Sequence, residues 1–540
     1  MSAFASAEAG FATSRSDQGL DLRTWIMIVG VMLATILEIL DTSIVNVALP
    51  SMMGNLGATV DEISWVVTSY IIANVIVIPM TSWLAARFGR RRYFVGSILL
   101  FTVASALCGL ARSLPELVVF RVIQGVGGGA LLATAQTILV ETFPPQRQGT
   151  GQAIFGMGAM LGPSLGPTLG GWLTDRWSWP WIFYVNVPLG IAAALVCASY
   201  LADPRPGTVR RAERVDWPGI ALLIVGVGAL QTLLERGNRL DWFESDFITG
   251  LAVTAAVAIA LFVWHELRAE HPVVDLRVFR HRALQVGCVY GVAMGVGLYG
   301  SVFLFPLFTQ QLLRWNSWQS GMAILPSSIA TAIVMSFSGR LVWRLGPAPL
   351  FGVGVAVFVP ALYGMSHWTL QSGWWDLFWP QIGRGAALGL MFAPLSVSTL
   401  RALPPAEILQ GAGLYNLFRQ TGGSLGIAAL ATLVDHRSAL HKAYLAEAVT
   451  PFSEATQQRL SSIAAGLAQR GLSPAEAHAG AQHVLDQILA AQSSVLAFRD
   501  CYLAIMGLFI LLIPLVPLLR RPPLDPTPRT ASALEHGEAV

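Results

Sequence analysis

Apolar stretches of about 20 residues, the length a helix needs to cross a bilayer core, recur from one end of the chain to the other. Fourteen can be marked, near 26–49, 63–83, 93–111, 116–139, 150–173, 181–201, 217–235, 247–265, 283–307, 318–341, 348–367, 374–400, 409–433 and 500–519. The first follows a mildly polar segment bearing Arg15 and Arg23 and is too long for a signal-peptide core, so it reads as an uncleaved anchor, with the mature chain beginning near Met1. The pattern predicts an all-α polytopic membrane protein with 14 transmembrane helices. Composition agrees: 54% of the 540 residues are hydrophobic and 12% charged, with mean hydropathy +0.59, far from soluble averages.

Charge sets orientation. Arg87, Arg90, Arg91 and Arg92 share one short loop, Arg205, Arg210, Arg211 and Arg214 another, and Arg268, Arg277, Arg280 and Arg282 a third. With fourteen spans all three fall on one side, which the positive-inside rule makes cytoplasmic. The loops Ser51–Glu62 and His367–Asp376 contain no Lys or Arg, as expected outside, and both termini are then cytoplasmic. A net charge of +3 with dispersed arginines argues against nucleic acid as a partner. Cys108, Cys197, Cys288 and Cys501 lie in apolar segments at irregular spacing, and no histidine pair shares a transmembrane face, so metal and cofactor sites are not expected.

The chain repeats itself. A shift of 260 residues superposes Gly125 on Gly385, Gly129 on Gly389, Pro144–Pro145 on Pro404–Pro405, and Gly162, Ser164, Leu165 and Gly166 on Gly422, Ser424, Leu425 and Gly426. A shift of 257 places Leu84, Arg87 and Gly89 on Leu341, Arg344 and Gly346. The expected organisation is therefore 6 + 2 + 6: a six-helix bundle over 1–201, two inserted spans with flanking linkers over 202–282, a second six-helix bundle over 283–520, and a cytoplasmic tail over 521–540. Parallel halves with a binding site at their interface are a transporter layout.

Polar residues inside the spans are the candidate chemistry. Glu38 and Asp41 lie one helical turn apart in the first span, and intramembrane carboxylates cost roughly 2.5 to 3.5 kcal/mol, so they imply a function. Asp41 lies about 13 Å inward of Pro50 and Arg121 about 9 Å inward of Pro115 on the same side, depths an arginine side chain can bridge. A carboxylate paired in one conformation and desolvated in another changes its affinity for protons, which is the physics of proton coupling. The alternative is a permanent ion pair that positions two helices. Arg384, aligned with Gln124 by the repeat, and Arg419 should also face the interior. Three interior arginines against two carboxylates suggest tolerance of weakly acidic or anionic lipophilic compounds. Tyr70 and Asn74 share one helix face and, with Gln124, could line a substrate path or hydrogen-bond between helices. Gly162, Pro163, Gly166, Pro167 and Gly170 would bend the fifth span and allow close helix approach. Residues 434–498 form one long external segment, where Ser473-Pro474-Ala475-Glu476 is a capping-box pattern opening a helix into the last span.

Four motifs carry a family resemblance. These are Leu40-Asp41-Thr42-Ser43-Ile44-Val45-Asn46-Val47-Ala48-Leu49-Pro50 in the first span, Ser82-Trp83-Leu84-Ala85-Ala86-Arg87-Phe88-Gly89-Arg90-Arg91-Arg92 after the second, Arg121 with Gln124 and Gly125 in the fourth, and the Gly162–Gly171 run in the fifth. Together with Asp241-Trp242-Phe243 they resemble the major facilitator superfamily, in particular its 14-spanner drug:proton antiporters of the EmrB type. The loop motif departs from the family at Ser82 and Ala86, which replace a Gly and an Asp, so its usual acidic partner is missing. The resemblance implies a proton-coupled antiporter exporting lipophilic drugs or toxic small molecules across a bacterial inner membrane, not an enzyme. It further implies leak control by the Gly162–Gly170 motif, and a periplasmic adaptor and outer-membrane channel as partners of the 434–498 segment. The Arg90–Arg92 run suits topology and contact with anionic membrane lipid. Other readings are a dedicated exporter of an endogenous metabolite or siderophore, an inward proton symporter, or a non-transporting scaffold or receptor.

Overall fold

The computed structural model describes residues 21–144, 147–202, 215–450 and 452–519. Arg205, Arg210, Arg211, Arg214, Pro145, segment 1–20 and tail 521–540 lie outside the described residues. Among those described, every regular element is a helix.

Seven long helices build the first half: α1 (Leu22–Leu56), α2 (Trp65–Phe88), α3 (Arg90–Leu110), α4 (Leu114–Gly128), α5 (Leu131–Thr142), α6 (Gln148–Arg176) and α7 (Asn186–Tyr200). The run Gly127-Gly128-Gly129 separates α4 from α5 within what would otherwise be one span. Gly89 ends α2 at φ +86°, and its repeat mate Gly346 has φ +91°, a conformation that favours glycine in both halves. The inserted pair is α8 (Trp217–Arg236) and α9 (Asp246–Arg268). The second half runs through α10 (Arg282–Gly295), α11 (Ser301–Leu307), α12 (Ser317–Leu345), α13 (Pro347–Ser366), α14 (Trp374–Leu400) and α15 (Ile408–Glu447), then α16 (Glu454–Ala468) and α17 (Pro474–Leu512). Two π-helical turns, Val296–Gly300 and Phe308–Leu312, flank α11.

Eleven described helices are long and apolar enough to cross a membrane, or twelve if Trp374–Leu400 and Pro405–Glu447, bent by 118° at their junction, form one span. The expectation of fourteen is therefore met only in part. The difference has a physical cause: α6 is rich in Gly, Ser, Thr and Pro, and α14 and α15 carry arginines and amides, so all three are less apolar than lipid-facing helices.

The halves meet along two seams, α6 against α12 and α2 against α15. At one end of the first seam Gly149 and Gly339 cross with their backbones in contact, leaving no room for a Cβ on either. The inserted pair, unassigned by sequence, spans the second seam. Arg236 of α8 stacks on Trp65 at 4.4 Å, while beyond it Asn238 donates to Asp435 (2.7 Å) and the Trp242 indole donates to Thr432 (2.8 Å).

At 40 residues α15 is roughly 60 Å long, about twice the hydrocarbon thickness, so it continues well past the bilayer. The 39-residue α17 returns alongside it, held by Lys442–Asp486 (2.8 Å), His441–Asp500 (2.9 Å) and Ser438–Ser494 (3.1 Å). Its first turn has the capping box read from sequence: Glu476 accepts from the Ser473 hydroxyl (2.7 Å) and amide (2.9 Å), and Ser473 accepts from the Glu476 amide.

Candidate functional site: a buried polar network

Asp41 is fully buried on α1, and four other helices of its half close around it. From α4, Arg121 donates to one carboxylate oxygen (2.5 Å) and Gln124 to the other (2.9 Å). Asn186 of α7 donates to that second oxygen (3.1 Å), and Ser105 of α3 receives bonds from both Gln124 (2.9 Å) and Asn186 (3.0 Å). Arg121 also donates to the Val66 carbonyl of α2 (2.9 Å) and lies 4.1 Å above the Tyr70 ring. The guanidinium is thus paired, hydrogen-bonded and stacked, the conditions under which a buried charge is tolerated. The depth match between Asp41 and Arg121 is met by a direct pair. Asn186 and Ser105, which complete the cluster, were not singled out from sequence; each is visible there as a polar residue in an apolar stretch.

Glu38, one turn away and buried, accepts from Asn74 (3.0 Å) through one oxygen, and its other oxygen has no hydrogen-bond partner among the described residues. Asn74 in turn accepts from Gln420 of α15 (3.1 Å). Glu38 is therefore connected across the seam to the second half. A second crossing lies nearby: Asn416 of α15 donates to Gln136 of α5 (2.6 Å), Gln136 donates to Gln152 of α6 (3.0 Å), and Arg419 donates to Asn416 (2.9 Å). Sequence reasoning missed Gln136, Gln152, Asn416 and Gln420, whose only signal was an amide within an apolar span.

Tyr70 and Gln124 belong to the Asp41 cluster in this conformation, and Asn74 bridges Glu38 to the other half. Arg384 is buried in the second bundle and donates to Ser301 (3.0 Å) and Ser327 (3.0 Å), apart from Arg419. The fifth-span motif lies against the helix that carries the carboxylates. Gly162 abuts Ile39, Gly166 abuts Ser43 and Gly170 abuts Ile44, and the Ser43 hydroxyl donates to the Gly162 carbonyl (3.1 Å). The side chains of Pro163 and Pro167 lie outside the described residues.

In the loop motif, Arg90 pairs with Glu141 at the end of α5, and Arg91 donates to the Ala198 carbonyl of α7. Position 86 carries no acid, and the loop is held to the end of α5 through Arg90 and Glu141 instead.

Residues 31–427 match the family described as Major Facilitator Superfamily. Among curated proteins, the chain is 34% identical to the fatty acid resistance protein FarB of Neisseria gonorrhoeae over 491 residues, covering 91% of this chain and 95% of FarB. It is 34% identical to the multidrug export protein EmrB of Escherichia coli K12 over 494 residues (91% and 94%), and 35% identical to EmrB of Haemophilus influenzae over 484 residues (89% and 93%). Among solved structures, the human organic anion transporter MFSD10 (TETRAN) is similar with a TM-score of 0.53 at 14% identity, covering 90% of this chain and 99% of that one.

Proposed function

Since the chain belongs to the major facilitator superfamily and is a multi-pass membrane transporter by that membership, we propose that it exports lipophilic drugs or toxic small molecules in exchange for protons. The observation that carries this reading is the Asp41–Arg121–Gln124–Asn186 cluster next to Glu38, with Glu38 linked through Asn74 to Gln420 across the seam. Asp41 is held by α4 and α7, and Glu38 by Asn74 of α2, which is itself bonded across the seam to Gln420 of α15, so the surroundings of the pair change whenever the halves rock. Protons taken up in one arrangement are then released in the other. Glu38 has an unpartnered oxygen able to hold a proton, and Asp41 has an arginine that neutralises it when the proton leaves. The glycine stripe of α6 packed on Ile39, Ser43 and Ile44 couples the same stretch of α1 to the α6–α12 seam and keeps that path closed to leak.

The names of the relatives, a multidrug exporter and a fatty acid resistance protein, supply the substrate class. Counting α6, α14 and α15 each as a span brings the total to fourteen, with both termini cytoplasmic and the protein in a bacterial inner membrane. The α15–α17 projection is then periplasmic and is the docking site for an adaptor leading to an outer-membrane channel. Arg90–Arg92 contact anionic headgroups, and Arg384, Arg419, Tyr70, Asn74 and Gln124 bind substrate or shape its cavity. No step requires a cofactor.

Substrate-induced proton release from proteoliposomes tests the coupling. The native chain should release protons on addition of a transported dye, and Asp41→Asn and Glu38→Gln should lose that release while still reconstituting. Full coupling in both variants would sink the mechanism.

A further inference from the structure

Glu38 and Arg419 are buried groups of opposite charge type, one in each half, and neither has an ion-pair partner among the described residues. Glu38 of α1 has one oxygen bonded to Asn74, and the other has no hydrogen-bond partner among the described residues. Arg419 of α15 is buried as deeply and holds only neutral partners: it donates to Asn416 (2.9 Å) and its Cζ lies 5.8 Å from the centre of the Phe392 ring. Its Nε has no hydrogen-bond partner among the described residues. A guanidinium so placed is costly unless a carboxylate comes within reach.

The two are neighbours through the seam. Asn416, Arg419 and Gln420 fall within little more than one turn of α15 and share the face it turns to the first half, where Asn416 bonds Gln136 of α5 and Gln420 bonds Asn74 of α2. Asn74 also donates to Glu38, so a single amide separates that carboxyl from the helix that carries Arg419, and the arginine is near enough for its charge to act on Glu38. The other titratable groups around Glu38 are Asp41 on its own helix, Tyr70 on α2 and Arg121 on α4. Of the remaining helices packed on α1, α5 and α6 carry charge only at their ends, at Glu141 and at Asp175 and Arg176, and α7 carries none. Gly128 of α4 turns no side chain toward the carboxyl: a Cβ there would lie 2.7 Å from the Tyr70 hydroxyl, 3.0 Å from the Asn74 amide nitrogen and 3.4 Å from the Glu38 Cγ. Arg121 is already bonded to Asp41 (2.5 Å), which leaves Arg419 as the cation for Glu38.

We infer that Arg419 is the counter-ion that Glu38 takes across the seam when it gives up its proton, so that an ion pair between the halves forms on deprotonation and parts on protonation. The inference rests on the proton-exchange reading and divides its two acids by role. Asp41 has its arginine in the same half, so its charge is neutralised without moving one bundle against the other. Glu38 has its arginine in the opposite half. When its proton leaves, the guanidinium turns from Asn416 to the unpartnered Glu38 oxygen and draws α15 toward α1 and α2; a returning proton releases it.

The test follows the distance between spin labels at Phe88 and Leu345, exposed positions at the ends of α2 and α12, as pH is varied in the full-length protein in lipid nanodiscs without substrate. The four buried cysteines are replaced by alanine so that only the labels react. The parent chain should show one pH-dependent step, and Glu38→Gln should abolish it. Arg419→Gln should remove the step or move it up by about one pH unit or more, a tenfold change in proton affinity, because the charged carboxyl has lost its partner. Arg419→Lys, which keeps the cation, should retain a step. A parent chain with no step overturns the pairing, and so does a step unmoved in Arg419→Gln. If Arg419→Gln does not fold, Glu38→Cys combined with Arg419→Cys removes both charges together and decides the matter. A short bifunctional thiol reagent should then hold the halves together after cleavage at a protease site engineered between them, and failure to link them overturns the pairing. Failure of the proton-exchange reading is separable: it shows as no dye-driven proton release from native proteoliposomes, whereas the label distances report the pair with no substrate present.

Discussion

Asp41 receives hydrogen bonds from three side chains on two helices, so it is both the candidate proton site and a structural keystone of the first half. Those roles predict different results for different variants. Asp41→Asn leaves Arg121 as an unpaired buried cation, and breaking a buried pair in this way costs about 3–5 kcal/mol. The variant should therefore melt well below the native chain in a detergent or nanodisc thermal scan. Asp41→Asn combined with Arg121→Gln should recover much of that loss without recovering proton coupling, separating the pair's structural part from its functional one. The Asp41–Arg121 contact was legible in the sequence because depth along a helix can be counted from Pro50 and Pro115. Asn186 and Ser105 were not, since which face of a third or fourth helix turns inward depends on packing that no residue count supplies.

At the scale of helices, the same division holds. The capping box at Ser473 could be read in full, because its partners are three residues apart and need no tertiary information. The pairing of Arg90 with Glu141 could not, because 51 residues separate them. The polar composition of α6, α14 and α15 blurs the span count for a related reason: helices that line seams need small and polar residues, and these are the ones a hydropathy scan discounts. The Ser473 cap carries a pH dependence. Hydrogen bonds from the Ser473 hydroxyl and amide hold the Glu476 carboxyl below its usual value near 4.5. An acid with a depressed pKa stabilises the fold fully above its unfolded value and loses that contribution as pH falls through its folded value. Amide exchange over the first turn of α17, corrected for intrinsic rates, should thus be protected at neutral pH and quicken as the pH falls below about 4.5. Glu476→Gln should abolish that step.

Across the whole molecule, the repeat offset suggested a 6 + 2 + 6 organisation, while the role of the inserted pair could not be read. It emerges only when Trp65, Asp435 and Thr432, far apart in sequence, are seen to hold α8 and its following turn to both halves. That strap lies beside the seam crossed by Asn74 and Gln420, so the rocking proposed for the halves would be tethered along one edge. The length of α15 then has a mechanical consequence. The helix is continuous from the seam, where Asn416 and Gln420 sit, to its tip at Glu447, so it acts as a lever. A tilt of about 10° around the bilayer midplane would carry that tip about 7 Å, given a helical rise of 1.5 Å per residue and a half-bilayer of roughly 20 Å with headgroups. Spin labels at Tyr444 and at an exposed first-half position such as Trp177 should therefore report a distance change of several ångströms on substrate addition. In the proposed export cycle, a small intramembrane movement would in this way be amplified into a larger stroke outside the membrane.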